Sequence, residues 1–173
     1  MALFYPTLYR RRITDLTSAD LRTLGVSGLL LDVDNTLTTH DCPELEPAVT
    51  AWLAAMQAAG FHMTVVSNNS PQRVAPFAGR IGLPFQAKAA KPLPGGYRAA
   101  ARALGLLPQQ CAVIGDQIFT DILGANLAGM PSVLLEPIQP ETQQKFIVFK
   151  RRLERLLLRC PRQRKRKEAQ LHG

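Results

Sequence analysis

The sequence predicts an α/β domain of doubly wound type, a parallel sheet of about five strands between two layers of helices. Apolar runs of strand length recur at residues 28–33, 63–67, 111–115 and 132–135, with a weaker one at 83–85. They are continuous rather than alternating, the pattern of strands covered on both faces of a parallel sheet. Helical patterns lie between them, so strand and helix alternate along the chain. The length of 173 residues suits a single core.

Taken in order, the first run, GLLLDV, leads into a helix over residues 47–59, with Pro47 at its start and Gly60 at its stop. After the second run, Ser70 serves as N-cap and Pro71 as first helical residue, while Pro76 is expected to break or kink that helix. A third helix is expected over residues 96–104, stopped by Gly105, and a fourth over 120–128, ended by Gly129. The last, over 145–160, is amphipathic: Phe146, Phe149, Leu153, Leu156 and Leu157 recur at helical spacing, with arginines and lysines mostly elsewhere.

A hydrophobic fraction of 46% excludes a disordered chain. The net charge of +8 is not spread evenly: residues 145–173 hold 11 Lys and Arg against 2 acids, whereas residues 1–144 hold 10 against 11. The basic character therefore belongs to the tail, not to the body. No apolar run reaches the roughly 18 to 20 residues of a spanning helix, and the arginines of MALFYPTLYRRR follow its apolar residues, the reverse of a signal peptide. A cytoplasmic chain is the expectation. Cys42, Cys111 and Cys160 are too far apart for a thiolate zinc site, and His40, His62 and His172 show no ligand spacing.

Ligands of doubly wound sheets bind beyond the carboxyl ends of the strands. Polar clusters follow the runs there: DVDNT, SNNS, KAAKP and GDQIFTD. Asp32 and Asp34, two apart in an extended segment, would point to one side and repel, so the pair either holds a cation or keeps one member protonated. Asp116 and Asp121 add oxygen donors, a set that suits Mg2+ better than zinc or copper. Thr36 and Ser67 bring hydroxyls, Asn68 brings a donor, and Lys91 or Lys88 brings a positive charge. Such a set suits a phosphoryl group, with a carboxylate as nucleophile.

In this order, DVDNT, VSNN, a Lys before Pro and GDQIFTD resemble the four motifs of the haloacid dehalogenase (HAD) superfamily. SNNS with PQRVAPFA, KPLPGGY and VIGDQIFTDILGAN is similar to the YqeG-type branch of HAD subfamily IIIA phosphatases, over about residues 5–150. The resemblance implies a Rossmann-like sheet and a Mg2+-dependent phosphomonoesterase. By it, Asp32 is the nucleophile that forms an aspartyl phosphate, and Asp34 is the general acid and base. The Asp32 carboxylate, the Asp34 backbone carbonyl and Asp116 would bind Mg2+, supported by Asp121. Ser67 and Asn68 would hold the phosphoryl group, Lys91 would neutralise it together with the nucleophile, and Thr36 would anchor the loop.

Ten residues separate Thr36 from Pro47, and five separate Phe85 from Lys91, too few for the cap domain that many superfamily members insert there. The expected organisation is a capless domain over residues 1–144, the basic helix over 145–160 and a disordered basic tail over 161–173. An open site implies a bulky substrate, such as a lipid or macromolecule, or a cover supplied by another subunit of a homo-oligomer. The basic helix either docks on the sheet, lies on the anionic inner face of a membrane, or contacts nucleic acid or the ribosome. Related subfamily IIIA proteins act on phosphatidylglycerophosphate; their first motif has Lys between the acids, where this chain has Val33. The reading from a different class is a noncatalytic or regulatory HAD-fold protein that binds RNA, the ribosome or an acidic partner through its tail.

Overall fold

The computed structural model describes residues 3–39 and 44–139. Within them six strands, all parallel, form one sheet: β1 (Leu8–Arg10), β2 (Gly28–Leu31), β3 (His62–Val66), β4 (Phe85–Gln86), β5 (Cys111–Gly115) and β6 (Ser132–Leu135), in the order β1-β6-β5-β2-β3-β4. The helices are α1 (Ser18–Thr23), α2 (Pro47–Ala58), α3 (Pro71–Arg80), α4 (Pro94–Ala103) and α5 (Leu123–Ala128), the last entered through a π-helical turn, Ile118–Ile122. The expected helix over 145–160 and the tail over 161–173 lie outside the described residues.

Alternate strand residues feed two cores. Leu29, Leu31, Val65 and Ile114 pack with Trp52, Leu53 and Met56 of α2 and with Val74 and Phe77 of α3. Leu30, Val66 and Val113 face the other way, onto Tyr97, Ala100 and Ala101 of α4 and Ala125 and Ala128 of α5. Because both faces are covered, Leu29, Leu30 and Leu31 are all fully buried, each contributing about 1.5–3 kcal/mol of apolar transfer. This is the three-layer arrangement that the continuous runs predict.

The strand count corrects the expectation of about five. The added strand, β1, is an edge element of three residues whose burial alternates, paired only to β6, so it lacks the continuous apolar run used to find the others. β2 also ends at Leu31, two residues early: the Val33 carbonyl accepts the amides of Thr36, Leu37 and Thr38, so the chain turns at Val33, between the two acids. Pro76 sits inside α3 without ending it. A proline there removes one early backbone hydrogen bond, and the buried face of Val74, Phe77 and Ala78 holds the helix on the sheet.

The order places a topological switch between β2 and β5. From β2 the chain moves outward through β3 to β4; from β5 it moves the opposite way through β6. The crevice above the carboxyl ends of β2 and β5 is where such a sheet offers its binding site.

Candidate active site

Asp32 follows β2, and its backbone N–H donates to the Ile114 carbonyl of β5 at 2.9 Å, which fixes it over the switch point. Its carboxylate accepts from Lys91 Nζ at 2.5 Å through Oδ1 and from Thr36 Oγ1 at 3.3 Å through Oδ2. Lys91 reaches across from the β4–α4 connection and donates also to Asp121 Oδ1 at 2.8 Å. The lysine side chain is 4% exposed and Asp121 is 1% exposed, so the ion pairs are shielded from water. Lys88, the other candidate, is exposed, and of the two it is Lys91 that reaches Asp32 and Asp121.

Asp121 is anchored on both oxygens. Oδ1 takes Lys91 and, at 3.5 Å, the Tyr97 hydroxyl; Oδ2 takes the Gln117 amide at 3.2 Å and Thr120 Oγ1 at 3.5 Å. Gly115, the last residue of β5, makes this approach possible, because a Cβ there would stand 2.4 Å from Asp121 Cγ. Gly124 does the same for Tyr97, whose ring would lie 2.3 Å from a Cβ at that position.

Burial and neighbouring charge together shift the ionisation of these groups. Burial pushes the Asp32 carboxyl up to about 6, against the pull of Lys91, with Asp121 and Asp34 adding to the rise. Burial also opposes the charge on Lys91, but the carboxylates of Asp121 and Asp32 overcome it and hold its pKa well above the usual lysine value. Burial keeps the Tyr97 hydroxyl protonated, and it donates to the Thr120 carbonyl at 3.0 Å.

Asp116, buried at the end of β5, brings a third carboxylate. Asp32, Asp116 and Asp121 each offer one oxygen, and these lie within 4.8 Å of one another. Three carboxylates against one ammonium leave the cluster negative, and all donors are oxygens, so the residues fit a hard divalent cation. The Asp34 carboxylate is outside this cluster; its Oδ2 accepts from Asn69 Nδ2 at 3.0 Å. Asn35, in the left-handed region at φ 62°, turns the loop between the acids and Thr36.

Ser67 ends β3 and is buried, with Oγ accepting the Asn69 amide at 3.1 Å. Asn68, expected beside the phosphoryl group, binds the backbone of Lys91: Oδ1 accepts its N–H at 2.7 Å and Nδ2 donates to its carbonyl at 3.3 Å. Sequence reasoning missed Asn69 and Tyr97. Asn69 stood in the SNNS cluster already singled out, whereas Tyr97 carries no signal beyond helical spacing. A cleft of about 190 Å³ opens beside Thr36, lined by the apolar Ile13, Val49, Leu135 and Ile138 and by the charged Arg12, Glu46 and Glu136.

A parallel sheet with acids and a buried lysine at its switch point is the framework of an α/β enzyme. Residues 41–129 match the family model of haloacid dehalogenase-like hydrolases, and the chain belongs to that family. It is 36% identical over 156 residues to the "Probable phosphatase YqeG" of Bacillus subtilis (strain 168), covering 90% of each chain. It is 29% identical to the chloroplastic "Phosphatidylglycerophosphate phosphatase 1" of Chlamydomonas reinhardtii, over 81% of this chain and 56% of that one. Among solved structures, an uncharacterized protein from Listeria monocytogenes serotype 4b shares the fold, with a TM-score of 0.57 at 17% identity over 69% of this chain and 85% of that chain. Among the described residues, no helix is long and apolar enough to cross a membrane.

Proposed function

We propose that the protein is a Mg2+-dependent phosphomonoester phosphatase that works through an aspartyl phosphate on Asp32. The observation that carries this reading is the buried Lys91 ammonium held between Asp32 and Asp121, which keeps the nucleophile's charge partnered and adds a cation for the phosphoryl oxygens.

A carboxylate oxygen of Asp32 attacks phosphorus and the ester P–O bond breaks, with Asp34 giving its proton to the departing oxygen. Asp34 then takes a proton from water, whose oxygen attacks phosphorus. The bond to Asp32 breaks, inorganic phosphate leaves and the carboxylate is restored. Ser67, whose oxygen already accepts the Asn69 amide, directs its hydroxyl proton to a phosphoryl oxygen. Asp32, Asp116 and the Asp34 backbone carbonyl would hold Mg2+, which supplies charge neutralisation for the transferring group. Asp121, both of whose oxygens are occupied by the chain's own donors, supports the site by fixing Lys91.

The substrate we propose is bulky. Only residues 87–93 join β4 to α4, which supports a capless domain over residues 1–144. The named activity of the chloroplastic relative makes phosphatidylglycerophosphate the first lipid to test, presented at an anionic membrane surface that the basic segment over 145–173 would contact.

Purified protein should hydrolyse 4-nitrophenyl phosphate with added Mg2+, lose turnover with a chelator and regain it when Mg2+ is restored. A screen of lipid, sugar, nucleotide and protein phosphates, with phosphatidylglycerophosphate in mixed micelles, then ranks substrates. Turnover that survives chelation would remove the metal from this account.

A further inference from the structure

We infer that the adjacent Asn68 and Asn69 are positioning residues with unlike tasks, one for the catalytic lysine and one for the acid–base; this rests on the function proposed above. Both follow β3, between the loop that carries Asp32 and Asp34 and the loop that carries Lys91.

Asn68 grips Lys91 by both backbone groups, accepting its N–H and donating to its carbonyl. The loop it grips has a costly backbone: Lys88 and Ala90 lie in the left-handed region at φ 46° and 54°, which side chains other than glycine rarely adopt. Lys88 and Ala89 are also tied to this turn, their amides donating to the carbonyls of Asn69 and Ser67 at 3.0 Å each. Asn68 thus closes a frame that aims Lys91 at Asp32. Asn69 turns the other way. Its amide donates to the Ser67 hydroxyl oxygen, which sets its direction, and Nδ2 then holds Asp34 Oδ2. That contact fixes one carboxylate oxygen and with it the orientation of the carboxyl group.

The tasks separate by chemistry. Lys91 neutralises charge on the nucleophile and the phosphoryl oxygens, a need shared by every phosphomonoester. Proton donation by Asp34 matters most when the leaving oxygen is basic, as in an alkyl phosphate, and little for 4-nitrophenolate, which departs without a proton. A hydrogen bond to a charged group is worth enough that losing it should slow the assisted step by about tenfold or more.

The test measures kcat/KM, which reports phosphoryl transfer to Asp32, across monoesters from 4-nitrophenyl to simple alkyl phosphates. Asn69→Ala and the near-isosteric Asn69→Asp should lose about tenfold or more on alkyl phosphates and less than about threefold on 4-nitrophenyl phosphate, as Asp34→Asn does more strongly. Asn68→Ala should lose activity equally on all, and Asn68→Asp, which keeps the acceptor for the Lys91 amide, should recover part of it. Equal losses across leaving groups for the Asn69 variants, alongside a leaving-group-dependent Asp34→Asn, would overturn the inference alone. A flat response of Asp34→Asn itself would overturn the proposed mechanism. Circular dichroism and unfolding temperatures identify any variant whose loss comes from folding, and the Asp variants, closest in shape to Asn, keep the comparison open in that event.

Discussion

Asp32→Asn is expected to lower kcat/KM on any phosphomonoester by on the order of 10⁴-fold or more, with the fold intact. The amide cannot attack phosphorus, yet it has nearly the carboxylate's shape. It keeps the backbone bond to Ile114 and can accept from Thr36. Lys91 retains Asp121 as a partner. The substitution also removes a charge that burial disfavours, so the unfolding temperature should hold or rise as activity vanishes. Such opposite responses are the signature of a group kept for chemistry rather than for stability. An Asn variant with near-normal turnover would end the assignment.

Lys91→Met is expected to damage stability and activity together. It leaves Asp32 and Asp121 facing each other without the ammonium between them, and breaking a buried pair from one side costs about 3–5 kcal/mol. Against a total stability of about 5–15 kcal/mol, that lowers the unfolding temperature by roughly 10 °C or more. Adding Asp121→Asn removes one of the two stranded charges, so the double variant should regain much of the lost unfolding temperature and none of the activity. Additive destabilisation in thermal melts of the two single variants and the double variant would show that the pair is not coupled as the 2.8 Å contact implies.

The sheet was legible where burial on both faces wrote continuous apolar runs: residues 111–115 and 132–135 are the bounds of β5 and β6 themselves. It was illegible at the edges. β1 carries Tyr9 and Arg10 with one side toward solvent, and α1, six residues long, is too short for a 3.6-residue period to emerge. Its start was nonetheless written in the chain, since Thr17 and Asp20 form a capping box. For the site, the four clusters identified the loops and most of the chemical groups. Asp32, Lys91, Asp116 and Asp121 do converge, because each closes or follows a strand or connection at one rim. The grip of Asn68 on the Lys91 backbone was not foreseen and Asn69 was passed over, since which of two adjacent amides faces which loop depends on the turn after β3. The Tyr97 contact with Asp121 depends on the close approach that Gly124 permits, a packing fact with no local sequence signature.

The covalent step admits a direct measurement. Protein mixed with a rapidly cleaved phosphomonoester and Mg2+, quenched in acid within a turnover and digested, is analysed by mass spectrometry for the peptide that contains Asp32. The account predicts one hydroxylamine-labile phosphoryl group on that aspartate, absent from Asp32→Asn. A phosphoryl group on a different residue, or steady turnover by the Asp32→Asn protein, would contradict it.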